Sequence, residues 1–570
     1  MTSPIRFVPR RGGLLASEYL LKRGAMAFVL LIIGLVVYAA KFTSLDVNAA
    51  DYAQIARNLA TGHGYSTSAV MPLSLALAPQ TGDHSELMRP PAYVTFLALA
   101  MLVAGATDKT VAMVSLIFLL LTALALYVIA ARCFGRAVAL WACPLYFISV
   151  PILKQAISGL DTTFLSFLVT LLFGALMWNY RGSEEGDEGQ PSSLRVGTPI
   201  AAGILLGLCY LTSYDSIVLL PVVLYFLWRV DRRQGRRNAV AVLVPFAILV
   251  LPWIVRSSLI VGRPFISLHA YDFAMFTSQY PGQTLLRRFE DVPHYPWLVA
   301  MLNSVGLLNK VAQGAGGFYT DASQFAGPYL MPFFIVGLLL AAPRRRWVLL
   351  HGCLALALFL QVAVLCFYQP LSRLLLPYSP IVVAVAVYWL LMLLQEWQEA
   401  LPAVRRRYRR LGVSLEGVGL AILLAAMGIP LLLYLFASGP SRQHPAIDTM
   451  RALGTTSYAY VATDLPWLAA WYGGIQTMAL PLRDKDWKGL EGAGLAPAAM
   501  YLSPALLEAP PTEQMEPYQR ALLAGQAYQG MQRDTTWRMA GLLLVRQPRT
   551  SPPAAPATPA RPVPRGTPTR

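Results

Sequence analysis

The chain has 570 residues, of which 56% are hydrophobic and only 13% charged, with a formal net charge of +17. An ordinary soluble domain is about 25% charged, so a soluble fold of this size would be left with apolar surface it could not hide. The five cysteines lack CxxC spacing and point to neither a metal site nor a disulfide framework; the basic excess falls in short runs between apolar segments, which needs no nucleic acid to explain it.

Apolar runs such as Ala25–Ala40, Val111–Ala130, Ala239–Val255, Trp347–Phe367 and Leu374–Leu394 approach the roughly 20 residues that cross a hydrocarbon core as helix. Residues 1–25 carry Arg6, Arg10, Arg11, Lys22 and Arg23, so the positive-inside rule makes the N-terminus cytoplasmic. No small-residue cleavage site follows, and the first span, 26–43, is read as retained. A polar stretch through Arg89 then lies outside. The segment Pro91–Val103 is short and opens on Pro90 and Pro91. As a full span it would leave Arg132 and Arg136 outside; as a helix on the outer surface it lets 111–130 run inward, and the surface helix is preferred. The remaining spans are placed at 137–152, 162–179, 197–213, 216–229, 239–255, 327–342, 347–367, 374–395 and 413–437. The runs Arg229–Arg237, Arg344–Arg346 and Arg405–Arg410 then all fall inside, and so does the acidic loop Glu184–Glu188.

The fold class expected is therefore an all-α polytopic membrane protein of about eleven transmembrane helices, occupying 26–437. Its outer loops are 44–110 and 257–326. An extracytoplasmic segment at 438–550, with β-like runs Ala459–Thr463 and Met539–Val545, reads as a small α/β appendage. The Pro-rich tail 551–570 reads as disordered.

Asp51 lies in the first outer loop, in Asp46-Val-Asn-Ala-Ala-Asp51-Tyr52-Ala-Gln-Ile-Ala-Arg57-Asn58-Leu-Ala-Thr-Gly62-His63-Gly64-Tyr65. An amphipathic helix here would carry Asp51 at its start, where a carboxylate also suits the helix dipole. Asp161, in Gly159-Leu-Asp161, stands in another outer turn and would equally serve as an N-cap. Two carboxylates on one face could instead hold a metal ion or divide base and orienting roles. Arg89, Arg256 and Arg373 sit on the outer face against the positive-inside trend. They either snorkel to headgroups or bind a phosphate. By residue type Asp83, His84 and Glu86 could ligate a metal, without diagnostic spacing.

At these residues the chain resembles the GT-C superfamily of membrane glycosyltransferases, above all the bacterial relatives of protein O-mannosyltransferases and of the lipid A aminoarabinose transferase. The block from Asn48 to Tyr65 looks like that family's first-loop signature. Arg89-Pro90-Pro91-Ala-Tyr93 looks like the segment after it, a juxtamembrane helix in the family, which supports the surface helix above. Gly159-Leu-Asp161, Pro252-Trp-Ile-Val-Arg256, Arg373-Leu-Leu-Leu-Pro377 and the stretch from Asp464 to Pro481 look like later motifs, in the family's order. Many relatives carry acids at the positions of both Asn48 and Asp51; here the first is Asn, with Asp46 two residues earlier. The catalytic base implied is Asp51, with Asp46 as the alternative.

The resemblance implies a polyprenyl-phosphate-sugar donor entering from the bilayer and an extracytoplasmic acceptor that is lipid, glycan or protein. Asp51 would take the acceptor's proton, Arg256, Arg373 or Arg89 would hold the leaving phosphate, and Asp161 would orient the acceptor or help hold a divalent ion. Transfer would invert the anomeric carbon. Tyr52, Arg57, His63 and Tyr93 would line the substrate site. No cofactor is required, though a divalent metal ion is compatible, and a bacterial inner membrane is implied. The rival readings are a transporter, whose ionisable groups belong inside spans, and a non-catalytic binder of lipid-linked glycans.

Overall fold

The structure is a computed structural model that describes residues 14–546, apart from 81, 179–196, 231, 265–266, 326–328, 341–344, 401–414, 437–445 and 509–514. The predicted tail 551–570, the acidic loop Glu184–Glu188 and the run Arg405–Arg410 lie outside the described residues.

Within the described residues, helices overlap each of the eleven predicted spans. The chain opens with α1 (Leu14–Lys41). After the first loop come α5 (Asp108–Cys133), α6 (Arg136–Phe147), α7 (Val150–Ile157) and α8 (Thr162–Trp178), then α9 (Gly197–Tyr210), α10 (Leu219–Val230) and α11 (Gly235–Val261). The second half adds α14 (Met331–Leu339), α15 (Arg345–Phe367), α16 (Ser379–Ala400) and α17 (Leu415–Phe436). Among the described residues five helical stretches are long and apolar enough to cross a membrane: Asp108–Cys133, Gly235–Val261, Trp347–Phe367, Ser372–Trp397 and Val418–Phe436. The span expected at 137–152 is not one rod. It breaks after Phe147 and turns 56° into α7, with Pro144 inside α6 and a proline at the start of α7. Each proline removes a helix donor and crowds the preceding turn. The α8 and α9 helices, of 17 and 14 residues, are shorter than a perpendicular crossing needs.

The two long loops carry helices of their own. The first holds α2 (Val47–Ala60), α3 (Pro72–Leu77) and α4 (Pro91–Ala104). With 14 residues, α4 is about 21 Å long, too short to span, as its prolines suggested. The second holds α12 (Pro296–Leu302) and α13 (Ser304–Phe325).

Three short strands also lie in the first loop: β1 (Ser66–Thr67), β2 (Ala69–Val70) and β3 (His84–Ser85). Strand β1 pairs antiparallel with β3, Ser66 opposite Ser85. The C-terminal unit contains α18 (Ala446–Gly454), β4 (Tyr460–Thr463), β5 (Gln476–Ala479), α19 (Asp484–Gly492), β6 (Ala499–Leu502), α20 (Glu516–Ala524), β7 (Met531–Arg533) and β8 (Leu542–Arg546). Its sheet runs β2-β5-β4-β6-β8-β7. The expected α/β appendage is thus present, but its outer strand, β2, comes from the first loop, with Ala69 beside Thr477 and Val70 beside Met478 in parallel register. Val70, Ala462, Met478, Trp487, Met500, Tyr518 and Leu544 form its core.

Candidate active site

The site is built on α2. Asp46, not Asp51, caps this helix: its Oδ1 accepts the Asn48 N–H at 2.8 Å, satisfying one of the helix's unpaired donors. Asp51 lies in the second turn, 2% exposed, and its carboxylate therefore needs a partner. The partner is Arg89, whose Nε donates to Asp51 Oδ2 at 2.6 Å, while Gln54 Nε2 donates to Oδ1 at 3.2 Å. The Arg89 guanidinium also donates to Asn48 Oδ1 at 3.2 Å and lies 4.7 Å from the Tyr52 ring centre. Asn48 thus falls within the site, its neutral amide oxygen accepting from Arg89.

Tyr52 joins the two halves of the site. Its hydroxyl donates to Asp161 Oδ2 at 3.0 Å, so that carboxylate reaches across to α2. The turn holding Asp161 needs its glycine: Gly159 has φ +83°, and a Cβ there would sit 2.9 Å from both Leu45 Cδ2 and Val111 Cγ1. Burial pushes the Asp161 carboxyl upward, and the charges of Arg373 and Arg89 pull it back down. Arg373, on the 3-10 turn Ser372–Tyr378, thus faces Asp161 electrostatically and donates no hydrogen bond shown among the described residues.

The other predicted residues have different work. Arg256 donates to the carbonyls of Glu86 at 3.0 Å and Tyr65 at 2.9 Å and lies against the Trp253 and Tyr65 rings; two of its nitrogens are spent on backbone rather than left for phosphate. Tyr93 is fully buried, donating to the Gly159 carbonyl at 2.8 Å and paired with Ser115 Oγ at 2.7 Å. It supports the Asp161 turn from behind instead of lining a substrate site. Arg57 donates to the carbonyls of Ala470 and Trp471 at 2.7 and 2.9 Å, docking the C-terminal unit. His63 is exposed beside Asp83, at 3.2 Å.

The side chains that by residue type could ligate a metal have other partners. The positive charge beside Asp51 is already the Arg89 guanidinium. Asp83 turns to His63, His84 Nδ1 lies 3.0 Å from the Gln80 carbonyl, and Glu86 binds backbone amides. No group of three His, Cys, Asp or Glu side chains among the described residues stands ready for an ion.

Two neighbours escaped the sequence reading. Asp215 accepts from Ser213 Oγ and Gln361 Nε2, Tyr378 donates to Gln361 Oε1 at 2.9 Å, and the Asp215 charge is felt at Asp161. Gln361, a polar side chain midway along an apolar helix, was the available signal. Asp108 accepts from Trp471 Nε1 at 2.6 Å and the Tyr472 hydroxyl at 2.9 Å; it resembled an ordinary acid in the first turn of a helix.

The family model described as dolichyl-phosphate-mannose-protein mannosyltransferase matches residues 88–255. No curated protein matches. Among solved structures, the chain is similar to the archaeal oligosaccharyltransferase AglB from Archaeoglobus fulgidus, in complex with an inhibitory peptide and a dolichol-phosphate. That match has TM-score 0.55 and 14% identity, covering 85% of this chain and 70% of that one. It is also similar to ArnT from Cupriavidus metallidurans bound to undecaprenyl phosphate, with TM-score 0.54 and 14% identity, covering 94% of this chain and 100% of the other.

Proposed function

We propose that this multi-pass membrane protein, whose fold is that of the GT-C glycosyltransferases, is itself a membrane glycosyltransferase. It moves a sugar from a polyprenyl-phosphate donor to an acceptor hydroxyl on the outer face of a bacterial inner membrane. The observation that carries the reading is the buried Asp51–Arg89 pair, set beside Tyr52, Asp161 and Arg373.

Arg89 neutralises Asp51 through their ion pair. A donor phosphate competes for that guanidinium, with Arg373 as the second cation. As Arg89 turns to the phosphate, the Asp51 carboxylate is freed to accept a proton from the acceptor. The acceptor oxygen then attacks the anomeric carbon and gives its proton to Asp51, while the bond from that carbon to the phosphate oxygen breaks. Polyprenyl phosphate leaves with its charge held by the arginines. A single displacement inverts the anomeric centre. Asp161, fixed through Tyr52, orients the acceptor.

The test is sugar transfer or donor hydrolysis by the purified chain in liposomes, with a panel of polyprenyl-phosphate sugars and hydroxyl acceptors. Asp51→Asn is expected to lower turnover by about 10²–10⁴-fold. Equal activity in both proteins moves the base to Asp161 or Asp46. Binding without turnover of any donor sinks the transferase and leaves a carrier or binder of lipid-linked glycans.

A further inference from the structure

Arg89 is presented to Asp51 by a segment whose peptide groups are nearly all held. Glu86 Oε1 accepts the N–H groups of both Met88 and Arg89. The Tyr65 hydroxyl donates to the carbonyls of Arg89 and Pro90 at 3.1 and 3.0 Å. The Glu86 N–H donates to the Tyr65 carbonyl at 3.2 Å, and Arg256 holds the Glu86 carbonyl. Glu86 is the one acid in this turn, 4% exposed. It shares a small cleft with Asp51 and His84.

Two buried carboxylates, Asp51 and Glu86, thus lie with the buried Arg89 guanidinium, and the half-buried Arg256 stands beside them on the Glu86 carbonyl. The other titratable groups around Glu86 are the phenols of Tyr65 and Tyr214 and the His84 imidazole, which burial keeps neutral by lowering it. With both acids ionised the four charges balance. A donor phosphate arriving at Arg89 adds one negative charge, which a buried site tolerates poorly. Proton uptake by one acid offsets that charge, and Glu86 is placed to take it. Its Oε1 accepts both amides, whereas its Oε2 accepts no hydrogen bond among the described residues, so a proton on Oε2 costs neither contact. Burial first, and the Asp51 charge second, already raise Glu86 to about 7.

Resting on the donor reading above, we propose that Glu86 is a positioning residue that takes up a proton as the donor phosphate reaches Arg89, so that Asp51 stays ionised and able to act as base. The sign follows from linkage. Below about pH 7 Glu86 already carries its proton and donor affinity does not depend on it. Above about pH 7 the proton must be drawn from solution, and affinity falls by up to tenfold per pH unit.

The probe is farnesyl methyl phosphate, a phosphodiester whose single charge does not titrate in this range. Calorimetry with the full chain in detergent, in buffers of differing ionisation enthalpy from about pH 6 to 8.5, counts the protons taken up. Wild type is expected to take up close to one proton per bound probe at the alkaline end. Glu86→Gln, which keeps an amide-accepting oxygen, is expected to take up none and to bind with flat pH dependence. Glutamate labelled with carbon-13 in wild type gives a second readout: probe binding should produce a shifted infrared carboxylic-acid band. Probe binding without proton uptake, uptake retained in Glu86→Gln, or an unshifted band overturns the inference and leaves the donor reading standing. Failure of wild type to bind the probe at any pH removes both.

Discussion

At the residue scale the decisive contact is Arg89 to Asp51, with both side chains more than nine-tenths buried. Removing one partner of such a pair leaves an uncompensated charge, at a cost of about 3–5 kcal/mol. Arg89→Ala is therefore expected to lower the thermal midpoint markedly, and Arg89→Lys to restore stability in part. The lysine has no planar group to lie over Tyr52 while reaching both Asn48 and Asp51, so its turnover should stay well below wild type. Thermal unfolding and liposome turnover of both variants check this. Asp51 and Arg89 were legible in the sequence because each sat in a run of fixed register. Arg256 was legible only as an exception to the positive-inside trend; that its guanidinium is spent on two carbonyls depends on where β1 and β3 bring the Tyr65 and Glu86 peptides. Tyr93 was expected to line a substrate site, and nothing local in the sequence shows that its buried hydroxyl reaches the turn at Gly159.

At the element scale, helices were easy to read because apolar runs of membrane length have few alternatives. The 56° break after α6 was visible as Pro144, yet the apolar run continues through it and hides the bend. The docking of α2 on the C-terminal unit was not visible at all, because it joins residues about 400 positions apart. Arg57 donates to two carbonyls of that unit, and Asp108 accepts from Trp471 and Tyr472 beside them. Hydrogen bonds to charged groups contribute about 1.5–3 kcal/mol. Arg57→Ala or Asp108→Ala should thus loosen the unit, seen as faster protease cleavage near Gly474, and should reduce turnover even though neither side chain touches Asp51. Unchanged protection in both variants would remove the docking role.

At the scale of the whole molecule, the apolar helices and the α/β unit are not independent modules. Strand β2 belongs to the first loop by sequence and to the C-terminal sheet by hydrogen bonding, with Thr477 donating to the Ser68 carbonyl at 2.7 Å. The β-like runs of the C-terminal segment marked it as an α/β unit, and that sheet is present; that β2 of the first loop forms one edge of it was not legible, because two residues carry too weak a strand signal to be noticed. A chain ending at residue 437 should keep its membrane helices yet lose the arrangement of Asp51, Arg89 and Asp161, and show no probe binding or turnover. Activity in that truncated chain would mean that the first loop folds unaided.

The pairing of β2 with β5 also fixes an order of events during synthesis. A ribosome delivers Ala69 and Val70 long before Thr477 and Met478, so β2 waits with one strand edge unsatisfied. The sheet that takes in β2 is complete only when the last fifth of the polypeptide arrives to close that edge. A translation product interrupted before Thr477 would then hold its apolar helices and still leave β2 without its partner strand, so that the two ends of the chain are joined only on completion.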